Sequence, residues 1–183
     1  ALFGVMSGPD ATNGQKMESL IAEFEGELVE VPHISASELL GMQSRGEPVT
    51  LVDTRMSEEQ DVSMLPGALR REEFEARRDE LRGRVTVCYC TIGLRSGRYA
   101  KELRKSGIDA RNLRGSIVAW TMEGGELVRG TDGERTTKVH TFGEKWGITA
   151  EGYQAVWFRK TPWHKLAFGA VRNALRWPPW GTR

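Results

Sequence analysis

Two short apolar segments, residues 49–53 and 85–89, interrupt a chain that is otherwise rich in charged side chains. Both are rich in β-branched residues, which is typical of parallel strands that are covered on both faces. Residues 29–34 and 108–113 show a weaker form of the same pattern. All four segments are therefore predicted to be strands of one sheet.

Segments with helical periodicity alternate with these predicted strands. Residues 17–28 place apolar side chains three or four positions apart, and residues 96–106 do the same before Gly107 ends the helix. Ser35 begins a capping box for another helix, and residues 72–81 are predicted to form a highly charged surface helix. This alternation predicts an α/β fold with a mostly parallel central sheet and right-handed crossovers.

The chain is predicted to hold one domain with extensions at both ends, because 183 residues lie within the size range of a single domain. The predicted divisions are an N-terminal extension with a short amphipathic helix (1–28), the α/β domain (29–130), an aromatic extension packed on that domain (131–158) and a basic amphipathic tail (159–183).

Charge is distributed unevenly along the chain. Six of the 26 basic residues and none of the 25 acidic residues lie in 159–183, so the remaining chain has a formal charge of −5. The tail is predicted to form a helix with tryptophans on its apolar face and basic residues on the other. It could dock on a protein complex, lie on a membrane surface or cover a groove of its own domain, and no nucleic-acid partner is expected.

The two cysteines, Cys88 and Cys90, are too close in sequence to form a stabilising disulfide. We therefore expect the protein to lie in a reducing compartment. An organelle such as a plastid or mitochondrion is one option, and a targeting peptide would then have been removed. The sequence has no apolar run near the ~20 residues that span a bilayer, so we expect a soluble protein or one peripheral to a membrane.

Cys90 has the surroundings of an activated nucleophile. It ends an apolar segment just before a predicted helix, and Arg95 adds positive charge, so both features favour the thiolate. Gly93 allows the intervening turn to direct backbone N–H groups inward, toward an anion on the sulfur. Four residues separate Cys90 from Arg95. Cysteine-dependent phosphatases use five, so the shorter loop favours a smaller bound group such as the outer sulfur of a persulfide.

Residues 90–96 resemble the active-site loop of single-domain rhodaneses, and other segments agree in order. Residues 52–55 match the family's Asp-x-Arg at a strand end, residues 65–68 its Pro-Gly turn, and residues 115–120 its Gly-Gly-x-x-x-Trp segment. Met64 and Ser116 depart from the family pattern, at positions where histidine and glycine are usual.

The resemblance implies a three-layer α/β sulfurtransferase domain that needs no metal or organic cofactor. Cys90 would accept sulfane sulfur from a donor such as thiosulfate and pass it to a thiophilic acceptor. The predicted substrate-binding residues are Thr91, Ile92, Gly93, Leu94, Arg95, Ser96, Asp53 and Arg55.

Simpler interpretations stay open for several of these residues. Asp53 and Arg55 could form only a salt bridge, and Cys88 is expected to be a core residue rather than a resolving thiol. The three histidines lack the spacing of a zinc site. A structural subunit anchored by its extensions is the alternative function, and a phosphatase or arsenate reductase of related fold is a third.

Overall fold

A computed structural model describes residues 12–141 and 147–157. The helices are α1 (Asn13–Ala22), α2 (Ala36–Ser44), α3 (Ser57–Val62), α4 (Arg71–Ala76), α5 (Leu94–Lys105) and α6 (Ser116–Met122), with a 3₁₀-helix at Glu25–Leu28. The strands are β1 (His33–Ile34), β2 (Val49–Asp53), β3 (Leu69–Arg70), β4 (Val85–Tyr89), β5 (Ala110–Leu113), β6 (Leu127–Val128), β7 (Arg135–Thr136), β8 (Lys138–His140) and β9 (Gln154–Val156).

The central sheet has five strands in the order β1-β5-β4-β2-β3, and every neighbouring pair is parallel. The predicted mostly parallel sheet is thus confirmed. Strand β4 lies in the middle, and its last residue, Tyr89, is opposite Asp53 at the end of β2. The chain leaves β4 at the carboxyl edge of the sheet, where parallel α/β folds place their functional sites.

Alternating side chains of the central strands enter two different cores. Val87 and Tyr89 pack in a cluster that includes Leu39 of α2 and Ile117 of α6. Cys88 faces the opposite cluster, which is built from α4, α5 and the N-terminal helices. Helices therefore cover both faces of the sheet, and the chain adopts a three-layer α/β architecture.

The boundaries of β2, β4 and the α2 cap agree with the sequence prediction, whereas those of several other elements differ. The predicted helix over 17–28 is two elements, because α1 ends at Ala22 and the chain tightens into the 3₁₀-helix. This turn keeps Phe24 and Leu28 in the same cluster as Ile21. The predicted strand over 29–34 is reduced to β1, and the predicted helix over 72–81 ends at Ala76.

Helix α5 begins at Leu94 rather than at Ser96 as predicted, after Gly93 as its N-cap. The difference matters for the chemistry, because it places the first turn of the helix, with its free N–H groups, closer to Cys90. Helices α3 and α6 and strand β3 were not predicted from the periodicity.

Residues beyond the central sheet add two small sheets. β6 pairs with β7 in antiparallel fashion, and β8 pairs with β9 in parallel fashion. Val139 of β8 is fully buried in the cluster that contains Tyr89 and Ile117. The predicted amphipathic tail over 159–183 lies outside the described residues. Within the described ranges, no helix has the length and apolar character needed to cross a bilayer.

Candidate active site

Cys90 lies at the first position after β4, between the N-termini of α5 and α6. Its side chain is buried, with 2% of the residue exposed. The next residues turn directly into α5, whose N-cap Gly93 has a φ of 117°. An L side chain rarely adopts that conformation, so glycine is the residue that allows the sharp turn between strand and helix.

The sulfur of Cys90 receives hydrogen bonds from the start of α5. The Gly93 amide nitrogen is 3.2 Å from Sγ, and the Ser96 hydroxyl is 3.4 Å away. Both donors lie within the turn that forms the helix N-terminus, so they add to its favourable field for an anion. The predicted inward-facing loop therefore forms.

The start of α6 supports the loop from the other side. The Ile117 amide donates to the Cys90 carbonyl at 3.2 Å, and the Val118 amide donates to the Thr91 carbonyl at 3.3 Å. The Ser116 hydroxyl accepts a hydrogen bond from the Cys90 amide at 3.0 Å. The backbone of the first two loop residues is therefore fixed before any substrate binds.

These contacts determine the acidity of the thiol. Burial acts to raise the pKa of Cys90, but the Arg95 charge and the hydrogen bonds from Ser96 and Gly93 outweigh it, so the pKa is lower than that of an ordinary thiol. Cys88 has the opposite character. It is fully buried in the core, and burial strongly raises the pKa of its thiol.

Arg95 is held by a carboxylate that sequence reasoning missed. Its Nη1 and Nη2 atoms donate to Oε2 and Oε1 of Glu59 at 2.7 and 2.9 Å. Nη2 also contacts the Thr91 hydroxyl at 3.2 Å. The Glu59 side chain is 5% exposed and that of Arg95 is 30% exposed. The guanidinium is thus fixed by Glu59 and Thr91 at the edge of the loop.

Glu59 is charged in this setting. Burial would raise the pKa of its carboxyl, but the charge and hydrogen bonds of Arg95, together with His140, hold it well below the usual range. His140 Nδ1 lies 3.5 Å from Glu59 Oε1. Since His140 belongs to β8, the segment after the central domain contacts the carboxylate that anchors the loop arginine.

Asp53 and Arg55, which were predicted to bind substrate, form a buried ion pair at the end of β2. Each side chain is completely buried, and Arg55 binds both Asp53 carboxylate oxygens at 2.7 to 3.2 Å. Arg55 Nη2 also donates to the Ser63 carbonyl at 2.5 Å. The pair fixes the chain after β2, as in the salt-bridge interpretation, and its contact with substrate stays a prediction.

The remaining predicted loop residues divide into two groups. Thr91 and Ser96 are buried and hydrogen-bonded, whereas Ile92 and Leu94 are half-buried and pack against the cores beside the loop. Thr91 directs its hydroxyl toward Glu59, at 3.4 Å, so it belongs to the anchor of Arg95.

Three buried polar residues complete the site without having been predicted. Glu59 stands in an acidic segment that is typical of a solvated helix, so no local signal distinguished it from Glu58. Asn112 accepts a hydrogen bond from Ser96 at 2.7 Å and donates to the Gly93 carbonyl at 3.0 Å. Because Asn112 follows Arg111 in a strand of mixed polarity, no local signal distinguished it. Ser116 had been noted only as a departure from the family pattern.

No group of three or more His, Cys, Asp or Glu side chains is arranged to hold a metal ion within the part of the chain that the structure describes. At Cys90 itself, the hydrogen-bond donors at the start of α5 stabilise a thiolate.

Comparison with known proteins relates the central part of this chain to a described family. Residues 35–123 match the model of the rhodanese-like domain. Two curated relatives are similar to part of the chain, and both are called tRNA uridine(34) hydroxylase. The one from Bordetella petrii is 35% identical over 95 residues, which is 46% of this chain and 38% of the relative. The one from Burkholderia vietnamiensis is 32% identical over 114 residues, which is 54% of this chain and 40% of the relative.

Among solved structures, the chain resembles a thiosulfate sulfurtransferase from Pseudomonas aeruginosa. The TM-score is 0.52 at 21% identity, and the match covers 68% of this chain and 25% of the other. At that identity the likeness concerns the fold. The chain spans about two fifths of the length of the two relatives given above.

Proposed function

We propose that this chain, whose residues 35–123 form a rhodanese-like domain, is a sulfurtransferase that carries sulfane sulfur as a persulfide on Cys90. One observation carries the proposal: a buried thiol with a lowered pKa receives hydrogen bonds from Gly93 and Ser96 at the N-terminus of α5. Such a site stabilises negative charge on the Cys90 sulfur and on a second sulfur bonded to it.

The reaction proceeds in two displacements. The Cys90 thiolate attacks the outer sulfur of thiosulfate or of a persulfide donor, and a new S–S bond forms as the donor's S–S bond breaks. The electron pair of the broken bond leaves with sulfite or with the donor thiolate, so Cys90 becomes a persulfide anion. A thiophilic nucleophile then attacks the outer sulfur, and the Cys90 thiolate departs.

The pairing of Arg95 favours sulfur transfer over phosphoryl transfer. A bound phosphate needs several donors, and a bidentate arginine is the usual partner. Here both terminal nitrogens of Arg95 already bind Glu59. Because the loop is short and Arg95 already binds Glu59, the backbone N–H groups are the main donors to a group bound at Cys90. Such a set of donors suits a single terminal sulfur. Hydrolysis of an aryl phosphate that is abolished by Cys90→Ser would support the phosphatase alternative instead.

The names of the curated relatives favour a second candidate, a role in tRNA modification. The rhodanese-like domain at residues 35–123 contains Cys90, so this candidate would use the same cysteine. Electrophoretic mobility shift of unmodified tRNA with the full chain tests this candidate. A single-stranded DNA of equal length is the control, and equal retardation of both nucleic acids, or of neither, counts against it.

Intact-protein mass spectrometry tests the main proposal. Wild type, Cys90→Ser and Cys88→Ala are incubated with thiosulfate or glutathione persulfide, and a portion of each is then treated with dithiothreitol. We expect wild type and Cys88→Ala to gain one sulfur atom that dithiothreitol removes, and Cys90→Ser to gain none. If wild type gains no sulfur from either donor, the enzyme proposal fails and the structural-subunit alternative remains.

A further inference from the structure

Ser116 has an unusual backbone for its residue type. Its φ is +49°, and it is the one non-glycine residue with positive φ among residues 12–141 and 147–157. It follows Gly115, whose φ is also positive, and begins α6. The left-handed region is costly for a residue with a Cβ atom, so a serine there is retained against a backbone penalty.

The side chain of Ser116 points into the catalytic loop. The residue is completely buried, and its Oγ accepts the Cys90 amide hydrogen at 3.0 Å. The same Oγ lies 3.1 Å from the Leu113 carbonyl and 3.9 Å from Cys90 Sγ. A glycine at this position would satisfy the backbone but would provide none of these contacts.

A hydroxyl group has one proton, so these acceptors compete for it. A neutral thiol is a weak acceptor, and the Leu113 carbonyl is the closer partner. A sulfur with negative charge is a much stronger acceptor. Rotation about one bond then directs the Ser116 proton from Leu113 to the sulfur while its oxygen still faces the Cys90 amide.

Ser96 is the second hydroxyl beside the sulfur, but its proton has a competing acceptor. Its Oγ lies 2.7 Å from Asn112 Oδ1 and 3.4 Å from Cys90 Sγ. It also lies 3.4 Å from Ser116 Oγ. The sulfur thus has fixed backbone donors at Gly93 and Ser96, and two hydroxyl groups that can turn toward it.

We propose that Ser116 is a positioning residue for sulfur transfer, whose hydroxyl fixes the Cys90 amide and turns toward the sulfur when the sulfur becomes negatively charged. The inference rests on the proposed function, because both the thiolate and the persulfide are anions at this position. The proposal also explains why a strained serine stands at this position. Its hydroxyl serves the loop, whereas an alanine would have the same backbone strain and no hydroxyl.

The test compares Ser116→Gly with Ser116→Ala. Glycine removes both the hydroxyl and the backbone strain, whereas alanine removes the hydroxyl alone. The rate of Cys90 alkylation by iodoacetamide is measured against pH, with a thermal melting curve for each variant. We expect the midpoint of the alkylation profile to rise by roughly one pH unit in both variants, because a donor to the anion is lost.

The melting curves distinguish positioning from general stability. We expect Ser116→Gly to melt within about 3 °C of wild type despite its shifted midpoint. Thr121→Ser is the control for disturbance of α6, because the Thr121 hydroxyl donates to the Val118 carbonyl at 2.7 Å without contacting Cys90. Its alkylation midpoint should equal that of wild type.

An unchanged midpoint in Ser116→Gly overturns the proposal, and this variant decides the matter even if Ser116→Ala does not fold. A midpoint that shifts as much in Thr121→Ser as in Ser116→Gly overturns it as well. Alkylation requires the thiolate but no sulfur donor. The outcome is therefore independent of whether wild type forms a persulfide, which the mass-spectrometric experiment measures separately.

Discussion

The guanidinium of Arg95 binds both carboxylate oxygens of Glu59, with nitrogen–oxygen distances of 2.7 and 2.9 Å. The two residues are 36 positions apart in the chain. The pair joins α3 to the first turn of α5, so the orientation of the loop around Cys90 depends on a carboxylate outside that loop.

Replacing Glu59 by glutamine removes the charge partner of Arg95 while keeping the side-chain shape. We expect transfer of sulfur to cyanide to fall roughly 10- to 100-fold, because a displaced guanidinium no longer holds the loop in place. The free energy of unfolding should fall by about 2–3 kcal/mol at neutral pH. Glu58→Gln, on the exposed side of α3, is the control and should resemble wild type in both measurements.

The stability of Glu59→Gln should also depend on pH differently from that of wild type. The pKa of the Glu59 carboxyl in the folded protein is well below its ordinary value of 4.5. Its stabilising contribution is therefore present above pH 4.5 and is lost as the pH falls through the folded-state pKa. Urea denaturation should show the largest difference between wild type and Glu59→Gln above that pH, with the difference shrinking in acid. A difference that grows in acid would contradict the assignment.

The lowered pKa of Cys90 predicts how its reactivity depends on pH. The thiolate persists below the ordinary thiol pKa of 9.0 and is protonated as the pH falls through the lowered value. Iodoacetamide should therefore alkylate native wild type with a midpoint below 9.0. Cys90→Ser should remain unmodified over the same range, since Cys88 is buried and its pKa is raised. Modification of native Cys90→Ser would show that Cys88 is accessible.

Breaking the buried pair of Asp53 and Arg55 should affect stability. We expect Asp53→Asn to lower the free energy of unfolding by about 3–5 kcal/mol, because it leaves a buried guanidinium without its counter-charge. Arg45 and Glu47 form an exposed pair, with side chains 62% and 40% accessible, and Glu47→Gln should cost less than about 1 kcal/mol. Chemical denaturation measures both. Equal losses in the two variants would show that burial does not strengthen the first pair.

Gly97 marks the close approach of α5 to the N-terminal 3₁₀-helix. A Cβ atom added there would lie 2.4 Å from Leu28 Cδ1 and 3.1 Å from Asn112 Nδ2. Gly97→Ala should therefore cost about 1–3 kcal/mol of stability and disturb the Asn112 contact with Ser96. Gly26→Ala is the matched control, because a Cβ atom at Gly26 meets nothing within 4 Å. Its melting temperature should stay near that of wild type.

Several features of this protein are determined by local sequence. The strands at 49–53 and 85–89 form as predicted, because a short β-branched run between polar segments has few other stable arrangements. The capping box at Ser35 forms because its partners are three residues apart. The order of Cys90, Gly93 and Arg95 along one turn is also local, so the sequence alone identified the loop that holds the proposed nucleophile.

Tertiary structure decided the rest, because the relevant contacts join residues that are distant in the chain. Glu59 differs from Glu58 only through the packing that buries it beside Arg95 and His140. The sequence places Asp53 and Arg55 at the end of a strand, but only the structure shows that they form a completely buried ion pair. The left-handed backbone of Ser116 likewise depends on how α6 meets the loop. Periodicity reports which face of an element is apolar, but it does not report which buried polar groups become partners.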